Sequence, residues 1–310
     1  MASRSRTSLR GSSLLAACLP ALLVALCACS PPSPTGVSVD WRVREPSGLV
    51  ESPQRPGVFW THSDSGGGNW LYAIDPQGQL LARARVGGAQ NIDWEDITRD
   101  DAGRLWLGDI GNNDSDRRDL QVYRLPEPSL EQARGKVEVE LTLPFFYPEQ
   151  DSFGDPMADF DSEALMWWDA QLWLLTKHRS NDLTRLYRFP SLEPPASGEG
   201  LALEQVSSFD LGPFLHGERK PWSGQVSAAA LAPDGKHWAM LSYEAVFVFA
   251  LPPSGAGERM FEQLLNRVEF DQDKLRQVEA MAWMGEQLLI LNEERAVFVL
   301  EDPLTRSSYP

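Results

Sequence analysis

The sequence predicts an all-β protein, a five-bladed β-propeller of four-stranded blades. Three observations predict it. A pattern of three strand-like phrases recurs five times; 23 Pro and 24 Gly punctuate the chain at strand rather than helix intervals; and an unclaimed strand-like segment precedes the first copy, as closure of a ring requires. Six blades is the alternative count. A β-sandwich, which also reads as short strands between turn signals, is the alternative architecture.

The innermost strand of each blade is read from SGLVES (47–52), WEDITRD (94–100), SEALMWW (162–168), SAAALAP (227–233) and EAMAWM (279–284). A second strand follows each: GVFWTHSD (57–64), RLWLGDIG (104–111), QLWLLTKH (171–178), HWAMLSYE (237–244) and QLLILNEE (287–294). A third, closing at a proline, is NWLYAIDP (69–76), LQVYRLPEP (120–128), TRLYRFP (184–190), AVFVFALPP (245–253) and AVFVLEDP (296–303). Weaker fourth strands are read at 79–86, 136–143, 203–211 and 267–270, the last after a possible helix at 258–266. The fifth copy has no sequel, so VSVDWRVRE (37–45) is assigned as the outer strand of the last blade. Trp60, Trp106, Trp173 and Trp238 recur in second strands and are assigned to the core. Adjacent Trp167 and Trp168 point to opposite faces of their strand.

The first thirty residues read as an export leader: Arg4, Arg6 and Arg10, then an apolar run from Leu14 to Ala28 that is too short for a confident span. The run ends in Leu26, Cys27, Ala28, Cys29, which resembles the bacterial lipobox and implies acylation of Cys29. An ordinary cleaved signal is the alternative. The expected organisation is a signal at 1–28, a lipidated cysteine and Pro-rich tether at 29–36, and one propeller domain at 37–310. All three cysteines, Cys18, Cys27 and Cys29, lie in the leader, which excludes a disulfide scaffold or thiolate metal site in the mature domain. Cleavage removes three of 28 basic residues and none of 44 acids, taking the formal net charge from -16 to -19. That surface disfavours nucleic acid and anionic membrane as partners. A monomer is expected.

In a propeller blade the first strand lines the channel, and its start shares one funnel with the end of the second strand. Ser47, Glu95, Glu163, Ser227 and Glu279 stand at the first-strand starts. Three carboxylates converging on a narrow channel need a cation or protons. Oxygen donors without His or Cys favour calcium, with two Ser hydroxyls and waters completing the shell. The alternative is that each Glu ties blades together through backbone amides or an Arg.

The order Ser, Glu, Glu, Ser, Glu at these positions resembles the calcium-activated nucleotidase (apyrase) family, whose members are five-bladed propellers. The likeness extends to the Asp64, Ser65, Gly66 turn and to VEAMAW around Glu279. It implies a calcium ion in the channel held by Ser47, Glu95, Glu163, Ser227 and Glu279, and hydrolysis of nucleoside diphosphates. DWEDI, GDIGNN and RLPEP are also similar to phrases in secreted bacterial propellers of unassigned activity.

From the second-strand ends, Asp64 and Asp109 are candidates to orient an attacking water, and Arg179 is a candidate catalytic residue through bidentate contact with phosphate oxygens. Lys177, Arg179, Arg219 and Lys220 form a possible clamp for a phosphorylated substrate, with His178 beside them. A solvated rim balancing nearby acids is the alternative for that cluster. DIGNND (109–114) is read as a hairpin capped by its own side chains, and it lacks the terminal Glu of an EF-hand. His62 and His178 are candidate proton carriers, or hydrogen-bonded scaffold residues. No G-x-S-x-G elbow, H-E-x-x-H, P-loop or dinucleotide fingerprint is present.

Two readings follow. One is a lipid-anchored, calcium-bearing propeller that acts as a binding or scaffold module for a protein or carbohydrate partner in the cell envelope, facing the periplasm or exterior. The other is a calcium-dependent phosphohydrolase acting on a phosphorylated small molecule.

Overall fold

In the computed structural model, residues 37–131, 134–216 and 220–308 are described. The leader, Cys29 and the tether lie outside them, as does Arg219. Blade one comprises β1 (Pro46–Glu51), β2 (Phe59–Ser63), β3 (Trp70–Ile74) and β4 (Leu80–Gly87). Blade two begins with β5 (Trp94–Arg99), β6 (Leu105–Asp109) and β7 (Gln121–Leu125), followed by β8 (Arg134–Glu138) and β9 (Leu141–Phe146). Blade three has β10 (Asp161–Trp168), β11 (Gln171–Lys177) and β12 (Leu183–Arg188), then β13 (Leu201–Ala202) and β14 (Glu204–Asp210). Blade four has β15 (Val226–Leu231), β16 (His237–Ser242), β17 (Ala245–Ala250) and β18 (Leu264–Glu269). Blade five has β19 (Val278–Met284), β20 (Gln287–Asn292) and β21 (Val297–Leu300). No helix among the described residues is long and apolar enough to cross a membrane.

Each blade is an antiparallel meander, and the innermost strands touch in the cyclic order β1, β5, β10, β15, β19 and back to β1. That closed cycle is the five-bladed ring. Five apolar layers separate the blades, one for each seam. Trp60, Trp106, Trp173 and Trp238 lie fully inside these layers. Trp167 joins the layer between blades two and three, and Trp168 the layer between blades three and four, as strand alternation requires.

Three details depart from the sequence reading. The segment assigned as one fourth strand at 136–143 is two strands: β9 completes blade two, while β8 crosses to pair in parallel with β4 of blade one. The stretch at 258–266 holds one 3-10 turn, Gly257–Arg259, and the start of β18 rather than a helix. The N-terminal segment does meet blade five, where Ser38 bridges Ala296 and Val39 N donates to Arg295 O at 2.8 Å. It turns away after Asp40, which stops it from forming a full fourth strand.

Candidate functional site

All five inner strands carry a β-bulge at the same level. The register slips between Ser47 and Leu49, Trp94 and Asp96, Ser162 and Ala164, Val226 and Ala228, and Val278 and Ala280. The unpaired residues are therefore Gly48, Glu95, Glu163, Ser227 and Glu279. A bulge re-aims the extra side chain out of the ladder, which explains how three glutamates come to line the channel. In blade one the equivalent position is Gly48, not Ser47. Gly48 has φ +65, and a Cβ there would lie 2.7 Å from His62 Nε2 and 2.9 Å from Asp96 Cα. Only glycine fits that space.

A cavity of about 330 Å³ opens at this level, lined by Glu45, Asp64, Glu95, Glu163, Glu279 and Glu293, with Lys177 and Arg179 the lining bases. Six carboxylates against two cations make it strongly acidic. Both bases are already engaged. Lys177 Nζ donates to Glu163 Oε1 at 2.7 Å and to Tyr243 OH at 2.9 Å, and Tyr243 OH donates to Glu279 Oε1 at 2.5 Å. Burial alone would lower the Lys177 pKa, but Glu163, Tyr243 and Glu279 around it hold it well above the ordinary amine value. Arg179 donates to Asp161 Oδ2 at 2.6 Å and to Asn113 Oδ1 at 2.5 Å.

On the other side of the cavity the acids have no such cation. Asp64, beyond the end of β2, Asp93, in the loop before β5, and Glu95, at the β5 bulge, each present an oxygen within 4.8 Å of the others. Burial raises the Asp64 carboxyl above its ordinary value. Asp93 is pushed up to about 7, by burial first and then by the charges of Asp64, Glu163 and Asp161. Glu95 is raised well above the carboxylate range by burial, with Glu163 and Asp64 adding to it. Glu95 is 4% exposed. Its carboxylate receives only a long 3.5 Å hydrogen bond, from Ser47 Oγ. A Cβ at Gly111 would overlap both Glu95 Oε1 and Asp93 Oδ2, so glycine there leaves room for the two carboxylates. A mutually repelling set of hard oxygens, Glu95 buried and Asp64 and Asp93 half-buried, fits a divalent cation.

This arrangement brings together only part of the set read from the sequence. Ser47 Oγ donates to Glu95 O at 2.5 Å and Ser227 Oγ to Val278 O at 2.6 Å, so both hydroxyls tie neighbouring inner strands together. Glu163 and Glu279 are bound up with Lys177 and Tyr243. The only acidic group of metal-site geometry among the described residues is Asp64, Asp93 and Glu95. Asp93 was missed in the sequence because it precedes the strand by one residue and belongs to no repeated phrase.

The other candidates are distributed away from the cavity. Asp109 is fully buried and accepts from Asp93 N at 3.0 Å and Arg117 Nη2 at 3.0 Å, so it supports the loop rather than a water. His178 is buried, with Nδ1 2.8 Å from Asn181 Oδ1, and burial lowers its pKa. Lys220 donates to Asp273 Oδ1 at 3.2 Å and lines a different depression, with His216 and Glu244. His62 is buried edge-on against Trp94, and burial lowers its pKa to about 4, which keeps it neutral. One further carboxyl, missed in the sequence, crosses the channel. Asp96 accepts Leu165 N from blade three at 2.8 Å and its own Ile97 N at 2.8 Å, and an amide of blade four, Ala229, also bonds to it.

No protein-family model matches the chain, and no curated protein matches it in sequence. Among solved structures it is similar to virginiamycin B lyase from Staphylococcus aureus, at 13% identity and TM-score 0.39, over 81% of this chain and 64% of that one. It is also similar to the periplasmic gluconolactonase PpgL of Pseudomonas aeruginosa, at 14% identity and TM-score 0.42, over 84% and 86% of the two chains. The chain thus spans less than two thirds of the lyase and most of PpgL. Likeness at this level adds nothing to the argument about activity. The resemblance to calcium-activated nucleotidases accordingly stands at the level of the propeller.

Proposed function

We propose that this propeller is a divalent-cation-dependent hydrolase of small molecules, with calcium as the ion and Asp64, Asp93 and Glu95 as its protein ligands. The observation that carries this reading is the trio of carboxylates whose oxygens lie within 4.8 Å of one another, two of which, Asp64 and Glu95, line the cavity. Calcium takes about six to eight oxygens, so three carboxylates leave positions for water and for a substrate oxygen. A bound divalent ion supplies Lewis acidity toward a carbonyl or phosphoryl oxygen and lowers the pKa of a bound water.

The residues of the chain supply the rest. Asp64 and Glu95 approach from different blades, so the ring itself sets their separation. Lys177 stays protonated across the cavity, with two of its three donors engaged by Glu163 and Tyr243. Because Lys177 and Arg179 are both paired to acids, a phosphate group entering this cavity meets no unpaired base among the described lining residues, and its charge falls mainly to the ion. Nucleoside diphosphates remain the proposed substrates on the nucleotidase resemblance. Lactones, uncharged esters with a carbonyl oxygen for the ion to polarise, are the second class to assay.

The second reading, a calcium-bearing binding module without turnover, is favoured by the Lys177, Glu163, Tyr243 and Glu279 network, in which Lys177 is engaged without any substrate while the buried Glu279 Oε2 keeps no partner among the described residues. Both readings place the domain outside the cytoplasm on an acylated Cys29. Calorimetric titration of chelator-treated protein with calcium, followed by assays of phosphate release and lactone opening, separates them. Binding with calcium-dependent turnover supports the hydrolase. Binding without turnover supports the module, and no binding removes the cation site from both.

A further inference from the structure

The segment Asp109–Asp114, read in the sequence as a self-capped hairpin, makes most of its bonds elsewhere. We propose that it is an outer brace for the cation site, and that Asn113 is a positioning residue acting on the ion through Asp93. The inference rests on the cation-site reading above and goes beyond it, because neither Asn113 nor its anchor touches the ion.

Both backbone groups of Asp93 and one of its carboxylate oxygens meet this segment, while the carboxyl also bonds the Asp64 side chain. Asp93 N donates to Asp109 Oδ1 at 3.0 Å. Asp93 O accepts from Ile110 N at 3.2 Å and Gly111 N at 3.1 Å. Asp93 Oδ2 accepts from Asn113 Nδ2 at 3.3 Å. The backbone bonds fix where the side chain begins, and the Asn113 bond fixes where it ends. That matters because Asp64, Asp93 and Glu95 repel one another. Without a tether Asp93, the less buried of the two blade-two acids, would swing away from the other two.

Asn113 in turn is set by blade three. Its Oδ1 accepts from Arg179 Nη2 at 2.5 Å, and Arg179 Nη1 donates to Asp161 Oδ2 at 2.6 Å. With the amide oxygen facing a guanidinium, the amide nitrogen must face Asp93; the flipped amide would set N–H against Arg179 and oxygen against a carboxylate. Arg179, expected from the sequence to grip substrate, therefore decides which end of Asn113 the cation site meets. Asp161 also accepts Asn112 N through its other oxygen, Oδ1, at 2.6 Å. The brace is thus fastened to blade three at two adjacent residues, and the seam between blades two and three carries the orientation of a ligand. Partners of this kind around a metal ligand are worth about 10–100-fold in affinity.

The test is calcium titration, by calorimetry, of the full chain and of the Asn113→Ala, Asp93→Asn and doubly substituted forms, each with a thermal melt of the calcium-free protein. Asn113 is at the surface, so the calcium-free melt of Asn113→Ala is expected to match wild type, while its calcium affinity falls about 10-fold or more. In the Asp93→Asn background, which keeps Asp64 and Glu95 and is titrated into the millimolar range, Asn113→Ala is expected to change nothing further. Arg179→Lys, which keeps the charge but cannot bridge Asp161 and Asn113, is expected to weaken calcium binding in the same direction. Unchanged affinity in Asn113→Ala, or an equal loss with and without Asp93, overturns the brace. Failure of wild type to bind calcium overturns the cation site itself, an outcome distinct from wild type and Asn113→Ala binding equally well.

Discussion

Lys177 Nζ lies 2.7 Å from Glu163 Oε1, so blade three brings its own cation into the channel. Both residues are buried, at 7% and 3% exposure. This pair divides the cavity into a side where Lys177 and Tyr243 meet Glu163 and Glu279 and a side, around Asp64, Asp93 and Glu95, with no ion pair among the described residues. The three bulge glutamates are therefore not equivalent: Glu163 and Glu279 meet Lys177 and Tyr243, whereas Glu95 stands with Asp64 and Asp93.

Lys177→Met leaves Glu163 buried without its ion-pair partner. Breaking a buried pair costs about 3–5 kcal/mol, which for a domain of this size lowers Tm by about 6–20 °C. The double substitution Glu163→Gln with Lys177→Met removes both charges and recovers much of the loss. Thermal melts of the three proteins check this. A Lys177→Met protein that melts with wild type shows that the pair does not balance the channel.

The cation-free protein should lose stability as pH rises through neutrality. Asp93 has its pKa raised from an ordinary 3.8 to about 7. The folded carboxyl therefore holds its proton more tightly than the unfolded one, and folding takes up a proton between those values. The associated stabilisation is present below the ordinary carboxylate pKa and is lost as pH climbs through about 7. Calcium competes with that proton, so its own stabilising effect grows over the same range. Melts from about pH 5 to about pH 8, with chelator and with calcium, should diverge as pH rises. Asp93→Asn should flatten the chelator profile, and an unchanged slope in that variant would assign the titration elsewhere.

Ser227→Ala separates a strand tie from a metal ligand. Ser227 Oγ donates to Val278 O at 2.6 Å in a fully buried setting. Losing the bond should cost about 1–2 kcal/mol, read by denaturant unfolding, with calcium affinity unchanged. A tenfold loss of calcium affinity would instead make Ser227 a ligand.

The fold was legible because a propeller repeats its grammar: apolar second and third strands recur in every blade, and each seam needs the same layer. The level of the site was legible too, since Glu95, Glu163 and Glu279 sit at equivalent bulges. The register in blade one was not, although the apolar residue two places after each bulge, Val50, Ile97, Leu165, Ala229 and Met281, would have pointed to Gly48 over Ser47. What each carboxylate meets was harder to read. Lys177 and Tyr243 end second strands of different blades, and only the ring brings them to Glu163 and Glu279. Asp93 stands outside the repeat, and its partners, Asp109 at the end of β6 and Asn113 in the loop after it, belong to a segment whose spacing reads as local capping. N-terminal pairing was legible in place but not in extent, because nothing in the 37–45 pattern marks the turn that follows Asp40.

Gly111→Ala tests the cation site with a single methyl group. Gly111 is not among the glycines with positive φ, so alanine brings no backbone strain there. Its Cβ would overlap Glu95 Oε1 and Asp93 Oδ2, the oxygens of two of the three proposed ligands. Gly111 N also donates to Asp93 O at 3.1 Å, so the loop cannot retreat without releasing Asp93. One or both carboxylates must rotate away from Asp64. Calcium affinity should then fall by at least tenfold, as measured by titration, and calcium should no longer raise Tm, because stabilisation by a ligand follows its affinity for the native state. The calcium-free protein should melt close to wild type, or slightly above it if the displaced carboxylates move apart and their repulsion is relieved. Retention of full calcium affinity in Gly111→Ala would mean that the ion, if bound, is held elsewhere in the channel.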